Sequence, residues 1–427
     1  MTSAPTQTLS ATLSARVVSS VEAIADELDA FSRDLHANPE IGYREFRSVD
    51  AFDAVLTRHG RSLERGTGGI PTAFHAQAGT RTSGPQVVIT AEYDALPGVG
   101  HGCGHNVIAA SSLGAFLALA PLFEGEDALP GGVTLLGTPA EEGGGGKELL
   151  IQAGAFEGYD ASVMVHPAAV DVAAGPSNAK RQVVATFRGR TAHAAANPHL
   201  GLNALDAAVT AYQSIAQVRQ HILTTDRVHG VFLEAGTRPN IVPERAVLEF
   251  FLRSRSVESL LALSERVAAA FRGAAIAAGV EVDIEWDGEP VYLPQRINAT
   301  LAQRFVDHSA PRREVIAVQE DTGAGLGSSD VGNVSHILPT IQPTVAIGGP
   351  DIPGHSRERA DSTLTPDGYR AIVDSSIALA LTAADVLVDS ELREAAWTEF
   401  RAFGDPIKVG DLVPLAPWPT FPTAPVA

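Results

Sequence analysis

A single cysteine lies among histidines in the segment His101-Gly-Cys103-Gly-His105-Asn106. The interleaved glycines let the backbone turn tightly, so that a thiolate and an imidazole can face one point. A soft sulfur beside an imidazole nitrogen is a donor pair typical of zinc or another late transition metal. Alone, the segment would also fit a buried cysteine next to surface histidines, because free cysteine usually behaves as a small hydrophobic residue. The segment therefore predicts a metal site only if donor side chains from other parts of the chain lie close to Cys103 and His105.

Three further motifs each place a candidate donor after an apolar, strand-like run. They are Glu141 with Glu142, then His166, then His355 in a Gly/Pro-rich loop. Adjacent carboxylates on a loop point in different directions, so one can bind a metal while its neighbour takes a proton from water. Each motif alone would also fit an ordinary loop residue. Their coincidence predicts one shared site, and five donors exceed the three protein ligands typical of one catalytic zinc, which indicates two metals.

These donors can meet only if the elements before them lie side by side, and the chain alternates strand-like and helical patterns that allow this. Two helical patterns, at 17–35 and 45–58, precede the first strand. The expected strands are 86–91, 133–138 and 162–166, and the expected helices between them are 107–120 and 147–153. The alternation predicts an α/β fold with a mostly parallel sheet sandwiched by helices, in which binding groups gather at the carboxyl ends of strands.

A different pattern begins near residue 181 and predicts a two-layer α/β insertion. Its expected strands are 182–189, 228–235, 246–253 and 281–286, and its expected helices are 203–221 and 257–278. The expected division of the chain is a catalytic domain over 15–180 and 293–400, an inserted domain over 181–292 and an extended tail over 401–427.

The second catalytic part is expected to contain a buried strand at 341–347 and a closing helix at 366–387. Prolines recur after Trp397, and we expect them to prevent regular structure there.

Composition narrows the class of protein. At 427 residues, with 45% hydrophobic and 19% charged, the chain fits a globular α/β protein with more than one core. A net charge of −19 would repel phosphate backbones and anionic membrane surfaces, so neither nucleic acid nor membrane is an expected partner. The longest apolar run, 113–123, is too short to span a bilayer. One cysteine precludes an intrachain disulfide, and residues 1–20 lack a secretory apolar segment, so a cytoplasmic location is expected.

At these motifs the sequence resembles the metallo-amidohydrolases that include aminoacylases, carboxypeptidase G and bacterial dipeptidases. Within them it is most similar to the subgroup of auxin-conjugate hydrolases, aminobenzoyl-glutamate hydrolase and dipeptidase-like proteins. The matching segments are 35–40, 94–97, 103–105, 141–142, 166, 189–193, 239–243 and 355. Asn106 stands where many relatives have Asp, and the segment 328–335 resembles the aminobenzoyl-glutamate and dipeptidase-like branch.

The resemblance implies a zinc-exopeptidase-like catalytic domain with an inserted lid and dimerisation domain. It implies hydrolysis of the amide bond of small molecules, either N-acyl or N-aroyl amino acids or dipeptides. It also implies two divalent metal ions, in the first place Zn, with Mn or Co as alternatives. The implied metal ligands are Cys103, His105, Glu142, His166 and His355.

Further roles also follow from the resemblance. Glu141 would activate water, and His193 would act across a homodimer to stabilise the oxyanion in the partner's site. Asn240 would hold the substrate's carbonyl or carboxylate, and Arg253 is a further candidate for the carboxylate. Asp94 would either orient a metal ligand or tune the metal from beside the metal-bound histidine.

Some histidines and two other functions remain open at this stage. His36 belongs to the matched segment 35–40, but packing of the first helices would explain it equally well. His101, His199 and His229 are expected to be structural or surface residues. Cys103 could instead be a nucleophile activated by a neighbouring histidine, which metal content would decide. The chain could also be a catalytically silent binding protein on the same fold.

Overall fold

The computed structural model describes residues 9–125, 128–319, 327–415 and 418–424, and its strands form two main sheets and one strand pair. The strands are β1 (Glu64–Arg65), β2 (Phe74–Gly79), β3 (Gln86–Ala91), β4 (Gly132–Gly137), β5 (Ala161–Val163), β6 (His166–Ala168), β7 (Ala179–Arg188), β8 (Arg227–Glu234), β9 (Arg245–Ser254), β10 (Glu281–Trp286), β11 (Thr340–Ile341) and β12 (Thr344–Ala346). The α-helices are α1 (Ala11–Ala23), α2 (Ala25–Ala37), α3 (Phe46–Arg58), α4 (His105–Leu119), α5 (Gly146–Gln152), α6 (Ala204–Val218), α7 (Val257–Ala278), α8 (Ala299–Ser309), α9 (Val331–Ser335), α10 (Arg357–Ser362), α11 (Pro366–Val388), α12 (Ser390–Ala402) and α13 (Val409–Leu412).

The larger sheet has the strand order β1-β2-β4-β3-β5-β11. Strands β4, β3, β5 and β11 are parallel, while β2 pairs antiparallel with β1 and β4. Every residue of β3 and β4 is buried, as strands covered on both faces require. Helix α4 is also buried throughout and packs against α2 and α11. The prediction of a mostly parallel sheet sandwiched by helices is confirmed.

The second sheet belongs to the insertion and has the antiparallel order β10-β7-β9-β8. Helices α6 and α7 pack against each other and cover one face, which buries Phe187, Phe250 and Phe271 in a separate hydrophobic core. The opposite face of the sheet turns toward the catalytic domain at its β7 and β9 strands, where it lines a cleft. The insertion is thus a two-layer unit beside the larger sheet.

Several predicted elements differ from the structure. The helical pattern 17–35 is two helices, because the chain breaks at Ile24, so three helices precede β1. The predicted strands 162–166 and 341–347 are each two short strands: β5 and β11 join the large sheet, whereas β6 and β12 pair with each other. Pro343, which lacks an N–H, lies between β11 and β12 and explains that interruption.

The predicted irregular segment after Trp397 is wrong at its start, because α12 continues to Ala402 and α13 follows. Residues 416–417 and 425–427 of the predicted tail lie outside the described residues.

Two helices, His105–Phe123 and Pro366–Val388, are long and apolar enough to cross a membrane by length and composition alone. The first is longer than the apolar run 113–123 because α4 starts at His105 and a 3-10 turn extends it. In each helix, 89% of the most apolar 18-residue window is buried within the protein, as in the core helices of globular proteins.

Candidate functional site

The donor residues lie on segments that leave the carboxyl ends of the parallel strands. The loop after β3 carries Cys103 and leads to His105, the first residue of α4. Gly104 precedes that helix at φ +87°, and a side chain there would meet the ring of Pro167. Glycine is therefore required for the imidazole to start the helix facing the neighbouring strands. Topology thus brings this loop against the segments that follow β4 and β5.

Five donors converge on this edge of the sheet. Cys103 Sγ lies 3.3 Å from His166 Nε2, and His355 Nε2 lies 3.7 Å from Glu142 Oε1. His105 Nε2 lies 4.0 Å from Glu142 Oε1. Two donors that share a tetrahedral metal with bonds of about 2.1 Å are separated by about 3.4 Å, so these spacings suit metal coordination.

The donors fall into overlapping groups. Cys103, His105 and His166 have donor atoms within 4.8 Å of one another, and so do Cys103, Glu142 and His355. A third group consists of His105, Glu141 and Glu142. Cys103 belongs to the first two groups, which places the thiol between two neighbouring positions for a cation. The donor set can therefore hold two metal ions.

Buried polar atoms without hydrogen-bond partners also indicate that metal ions fit this site. Within the described part of the chain, His105 Nε2 and Glu142 Oε1 are buried and have no hydrogen-bond partner. A buried polar atom without a partner costs about 1–3 kcal/mol, so native proteins rarely keep two side by side. A cation between these atoms would remove both costs. The geometry and chemistry of the donors therefore fit divalent metals.

Asp94 orients part of the site. Its Oδ1 lies 2.9 Å from His105 Nδ1, and its Oδ2 accepts the backbone N–H of Glu142 at 2.9 Å. Burial alone would raise the pKa of Asp94, but the neighbouring His105 keeps that pKa below its usual range. With Nδ1 bonded to the carboxylate, the Nε2 lone pair of His105 faces the other donors. His166 is held similarly, because its Nδ1 lies 2.7 Å from the carbonyl oxygen of Pro167.

The environment of Cys103 does not suit a nucleophile. Burial and the nearby Glu142 raise the pKa of the Cys103 thiol well above its usual range. Reactive cysteines need the opposite, a positive environment that lowers the thiol pKa. A metal cation would supply the positive charge that a thiolate needs here.

Glu141 lies next to the donors. Its Oε2 is 3.9 Å from His105 Nε2, and the side chain is almost entirely buried. Burial and the negative charges of Glu92 and Glu142 raise its pKa well above the usual range of a carboxyl group. A carboxylate with a raised pKa accepts a proton more readily, as a general base must.

Tyr292 fixes the segment that carries Glu141, and sequence reasoning did not identify it. Its hydroxyl donates to the carbonyl oxygen of Glu141 at 2.5 Å and accepts from the N–H of Gly145 at 3.2 Å. Tyr292 follows β10 and belongs to the return from the insertion to the catalytic domain. The segment of Glu141 is thus tied to this connection between the two units.

A cleft of 760 Å³ opens beside the donors and is lined from the other side by the insertion. Lys180 and Arg253 are directly opposite each other on β7 and β9 and both line the cleft. Like charges in this arrangement are unfavourable unless anions compensate them. Lys180 is paired with Glu289 at 2.9 Å. Arg253 has no carboxylate partner in the described residues.

Arg253 is therefore available to an anion in the cleft. Its Nη1 donates to Ser328 Oγ at 2.8 Å, and its Nε lies 3.4 Å from His229 Nε2. His229, which is expected from the sequence to be a structural or surface residue, is exposed and also lines the cleft. It faces Phe251 across the β8–β9 strand pair.

His193 and Asn240 lie together on exposed loops of the insertion. The N–H of Ala194 donates to the Asn240 carbonyl, and His193 Nδ1 accepts from the N–H groups of Ala195 and Ala196. The proton of a neutral imidazole is then on Nε2, which is the donor that an oxyanion needs. Neither residue is among the described residues that line this chain's own cleft. The structure thus brings His193 and Asn240 close to each other, but it does not bring them to the cleft beside the five candidate donors.

His36, His101 and His199 belong to none of the groups of donor atoms that could hold a metal. His199 is exposed in a 3-10 turn of the insertion, and His36 contacts Thr363 Oγ1 at 3.3 Å. His101 is buried in the loop that carries Cys103, and burial lowers its pKa to about 3.

Known proteins resemble this chain over most of its length. The family model of Peptidase family M20/M25/M40 matches residues 88–376. The chain is 36% identical over 405 residues to the Xaa-Arg dipeptidase of Mus musculus, covering 91% of this chain and 92% of the mouse protein. It is 27% identical over 444 residues to a p-aminobenzoyl-glutamate hydrolase component of Escherichia coli (strain K12), covering 86% of this chain and 90% of that protein.

Solved structures share the fold. The aminobenzoyl-glutamate utilization protein from Klebsiella pneumoniae aligns with a TM-score of 0.66 at 21% identity, covering 85% of this chain and 96% of that one. A Bacillus subtilis protein described as a dinuclear metal binding peptidase from the M20 family aligns with a TM-score of 0.60 at 20% identity, covering 86% and 99%.

Proposed function

Because the chain belongs to Peptidase family M20/M25/M40 and is a metal-dependent hydrolase of amide bonds, we propose that it cleaves N-acyl or N-aroyl amino acids or dipeptides at a two-metal centre. The proposed metal ligands are Cys103, His105, Glu142, His166 and His355. The observation that carries this proposal is the convergence of these donors around buried atoms that lack hydrogen-bond partners. Zinc suits the thiolate and imidazole donors best, and manganese or cobalt are the alternatives.

The chemistry divides between the metals and this chain's own side chains. When bound, two divalent cations would lower the pKa of water and polarise the scissile carbonyl. Glu141, beside the donors, accepts the proton of the attacking water and later delivers it to the leaving amine. Asp94 keeps His105 in the orientation that this requires.

The substrate class can be tested directly. The protein, with its metal content measured, should be assayed against N-acyl amino acids, a Xaa-Arg dipeptide and p-aminobenzoyl-glutamate, the last two chosen from the names of its relatives. We expect hydrolysis of at least one of them. If a preparation with two bound metals cleaves none, the proposed activity is wrong.

Arg253 is the proposed contact to the substrate's carboxylate. It lines the cleft, is half-buried and lacks a carboxylate partner among the described residues. Hydrogen bonds to charged groups contribute about 1.5–3 kcal/mol, so Arg253→Met should raise KM about 10- to 100-fold with a smaller change in kcat. Steady-state kinetics on a substrate and on its carboxamide analogue measure this, and the analogue should not respond to the substitution.

Arg227→Met is the matched control for this experiment. Arg227 is the opposite neighbour of Arg253 on β8, but it is exposed and its guanidinium donates to the backbone carbonyls of Thr224 and Asp226. Its replacement should leave KM unchanged. An equal rise of KM in both variants would mean that general electrostatics, rather than a contact from Arg253, attracts the substrate.

We also propose that a homodimer forms through the insertion. Strand β8 is an edge of its sheet, and Val231, Phe232 and Leu233 on it are exposed. Unpaired edge strands with apolar side chains favour pairing with another chain. His193 and Asn240 lie on the same unit and would reach the cleft of the second subunit.

We propose the cytoplasm as the compartment of this protein, because a reducing environment keeps the lone Cys103 reduced and able to bind a metal.

Co-expression of two differently tagged inactive variants tests whether His193 acts across the dimer. His193→Asn alone should lower kcat about 10²- to 10³-fold, because one oxyanion donor is lost. Random pairing of His193→Asn with Glu141→Gln subunits should restore about a quarter of wild-type activity, since half the dimers contain one complete site. Dimers that remain inactive after verified subunit mixing would contradict action in trans.

A further inference from the structure

The loop that carries Glu141 contains a strained residue. Ala140 has φ +58°, in the left-handed region, where its Cβ crowds the following carbonyl oxygen. The residue is buried, and its carbonyl oxygen accepts the N–H of Gly144 at 3.0 Å. Such a conformation persists only where surrounding contacts hold it, and strained residues of this kind cluster at functional sites. Because Ala140 directly precedes Glu141, its backbone angles set the direction in which the Glu141 side chain leaves the loop.

Glu45, which directly precedes α3, supplies a contact that holds this conformation. Its Oε1 accepts the backbone N–H of Ala140 at 2.9 Å, and Glu45 is itself fully buried. Glu45 is the only acceptor of this N–H among the described residues. Without it, a buried donor would lose its partner, and the strained peptide would be free to rotate.

The chain before Glu45 packs closely against the same loop. A Cβ at Gly42 would lie 2.8 Å from the Cβ of Ala140, so the two segments approach as closely as glycine allows. The hydroxyl of Tyr43 donates to the carbonyl oxygen of Gly144 at 2.6 Å. Segment 40–45 is therefore a support for the loop, and Glu45 is its contact nearest to the base.

We propose that Glu45 is a positioning residue for Glu141: it holds the residue before Glu141 in the left-handed conformation, so that the Glu141 carboxylate lies beside the donors. This inference rests on the proposed role of Glu141 as the base. Tyr292 holds the carbonyl oxygen of Glu141, and Glu45 holds the preceding N–H, so the base is fixed from both sides. Glu142 is held separately, because its N–H donates to Asp94 Oδ2 at 2.9 Å. Loss of the Glu45 contact should therefore disturb the base more than the neighbouring metal ligand.

This role requires an acceptor oxygen at position 45 but no negative charge. Burial and the nearby Asp94 raise the pKa of Glu45 to about 8, so its carboxyl group is mostly uncharged at neutral pH. Glutamine has the same length and offers the same acceptor oxygen, whereas methionine fills a similar volume with only a weakly accepting sulfur. The pair Glu45→Gln and Glu45→Met therefore separates the hydrogen bond from packing.

Steady-state kinetics and elemental analysis of the full-length, zinc-loaded variants test the proposal. Glu45→Gln should keep kcat within about threefold of wild type, whereas Glu45→Met should lower kcat about 10- to 100-fold with KM and zinc content unchanged, because a small misplacement of a reacting group costs this much. Adding Ala140→Gly to Glu45→Met should raise kcat again by about threefold or more, because glycine adopts the left-handed conformation without strain. A wild-type rate in Glu45→Met, or no recovery on adding Ala140→Gly, overturns the proposal.

Glu399→Met is the matched control. The Glu399 carboxylate makes the same kind of contact, because it accepts the N–H groups of Ala299 and Thr300, but these belong to the start of α8. Its replacement should lower the unfolding temperature and leave kcat unchanged. An equal fall of kcat in Glu399→Met and Glu45→Met would mean that lost stability, and not the position of Glu141, lowers the rate.

A crystal structure of Glu45→Met gives a readout that does not depend on activity. We expect Ala140 to leave the left-handed region and the Glu141 carboxylate to move by about 1 Å or more from its place beside His105. An unchanged Ala140 would overturn the positioning role, whereas wild-type protein that cleaves none of the substrates would overturn the proposed function instead. If Glu45→Met does not fold, Glu45→Asp takes its place with the same expected results, because the shorter side chain cannot reach the Ala140 N–H.

Discussion

Glu141→Gln should lower kcat by about 10²- to 10⁴-fold while both metals remain bound, because the amide has nearly the shape of the carboxylate but cannot accept a proton. Glu141 is adjacent to the donors and shares a group of possible donor atoms with His105 and Glu142, but we propose it as the proton acceptor and not as one of the five ligands. The loss should therefore appear in turnover and leave metal stoichiometry at the wild-type value. Steady-state kinetics and elemental analysis of the same preparation measure both quantities.

Glu142→Gln is the informative comparison because it changes the neighbouring carboxylate. Glu142 Oε1 faces His355 and His105, so its replacement should weaken metal binding as well as activity. The two variants thus separate a proton acceptor from a ligand. Full activity in Glu141→Gln would show that another group takes the proton.

Removal of divalent metals by a chelator should abolish turnover, and added Zn²⁺, Mn²⁺ or Co²⁺ should restore it. The reason is that the thiol and the carboxylates need a positive charge in direct contact with them, and the buried Lys147 is already bonded to Glu92 and Asp330. Without cations, water has no partner that lowers its pKa. Activity measured during chelation and during stepwise metal return gives the result.

This experiment also decides the alternative that Cys103 is a nucleophile. Alkylation cannot decide it, because modifying a ligand and modifying a nucleophile both stop the reaction. A metal-free preparation that retained activity would favour the thiol mechanism. The raised pKa of the buried Cys103 thiol, caused by burial and by Glu142, makes such activity contrary to expectation.

The sequence predicts elements well where local signals agree. Helix α7 has the predicted bounds because Ser256 caps its start and Gly279, at φ +67°, ends it. The break between α1 and α2 escaped prediction because apolar spacing continues across Ile24 and no proline or glycine marks it. Short strands such as β6 and β12 depend on pairing between distant segments, which periodicity does not reveal.

In the candidate site, too, residues with a local sequence signal could be predicted and residues that depend on long-range contacts could not. The five proposed ligands were identifiable because each follows a strand-like run with a donor side chain in a glycine- or proline-rich context. Lys147, Asp330 and Tyr292 were not, because their contacts join residues more than a hundred positions apart. Nothing in the local sequence marks a lysine as buried. The one available signal was the rarity of lysine in this chain, which has only Lys147, Lys180 and Lys408.

Anomalous diffraction from crystals grown with zinc tests the central claim most directly. We expect two neighbouring peaks at the carboxyl edge of the large sheet, one close to Cys103, His105 and His166 and the other close to Cys103, Glu142 and His355. A map without peaks among these donors at saturating zinc, or with zinc bound only elsewhere, would contradict the two-metal centre and the hydrolytic function proposed from it.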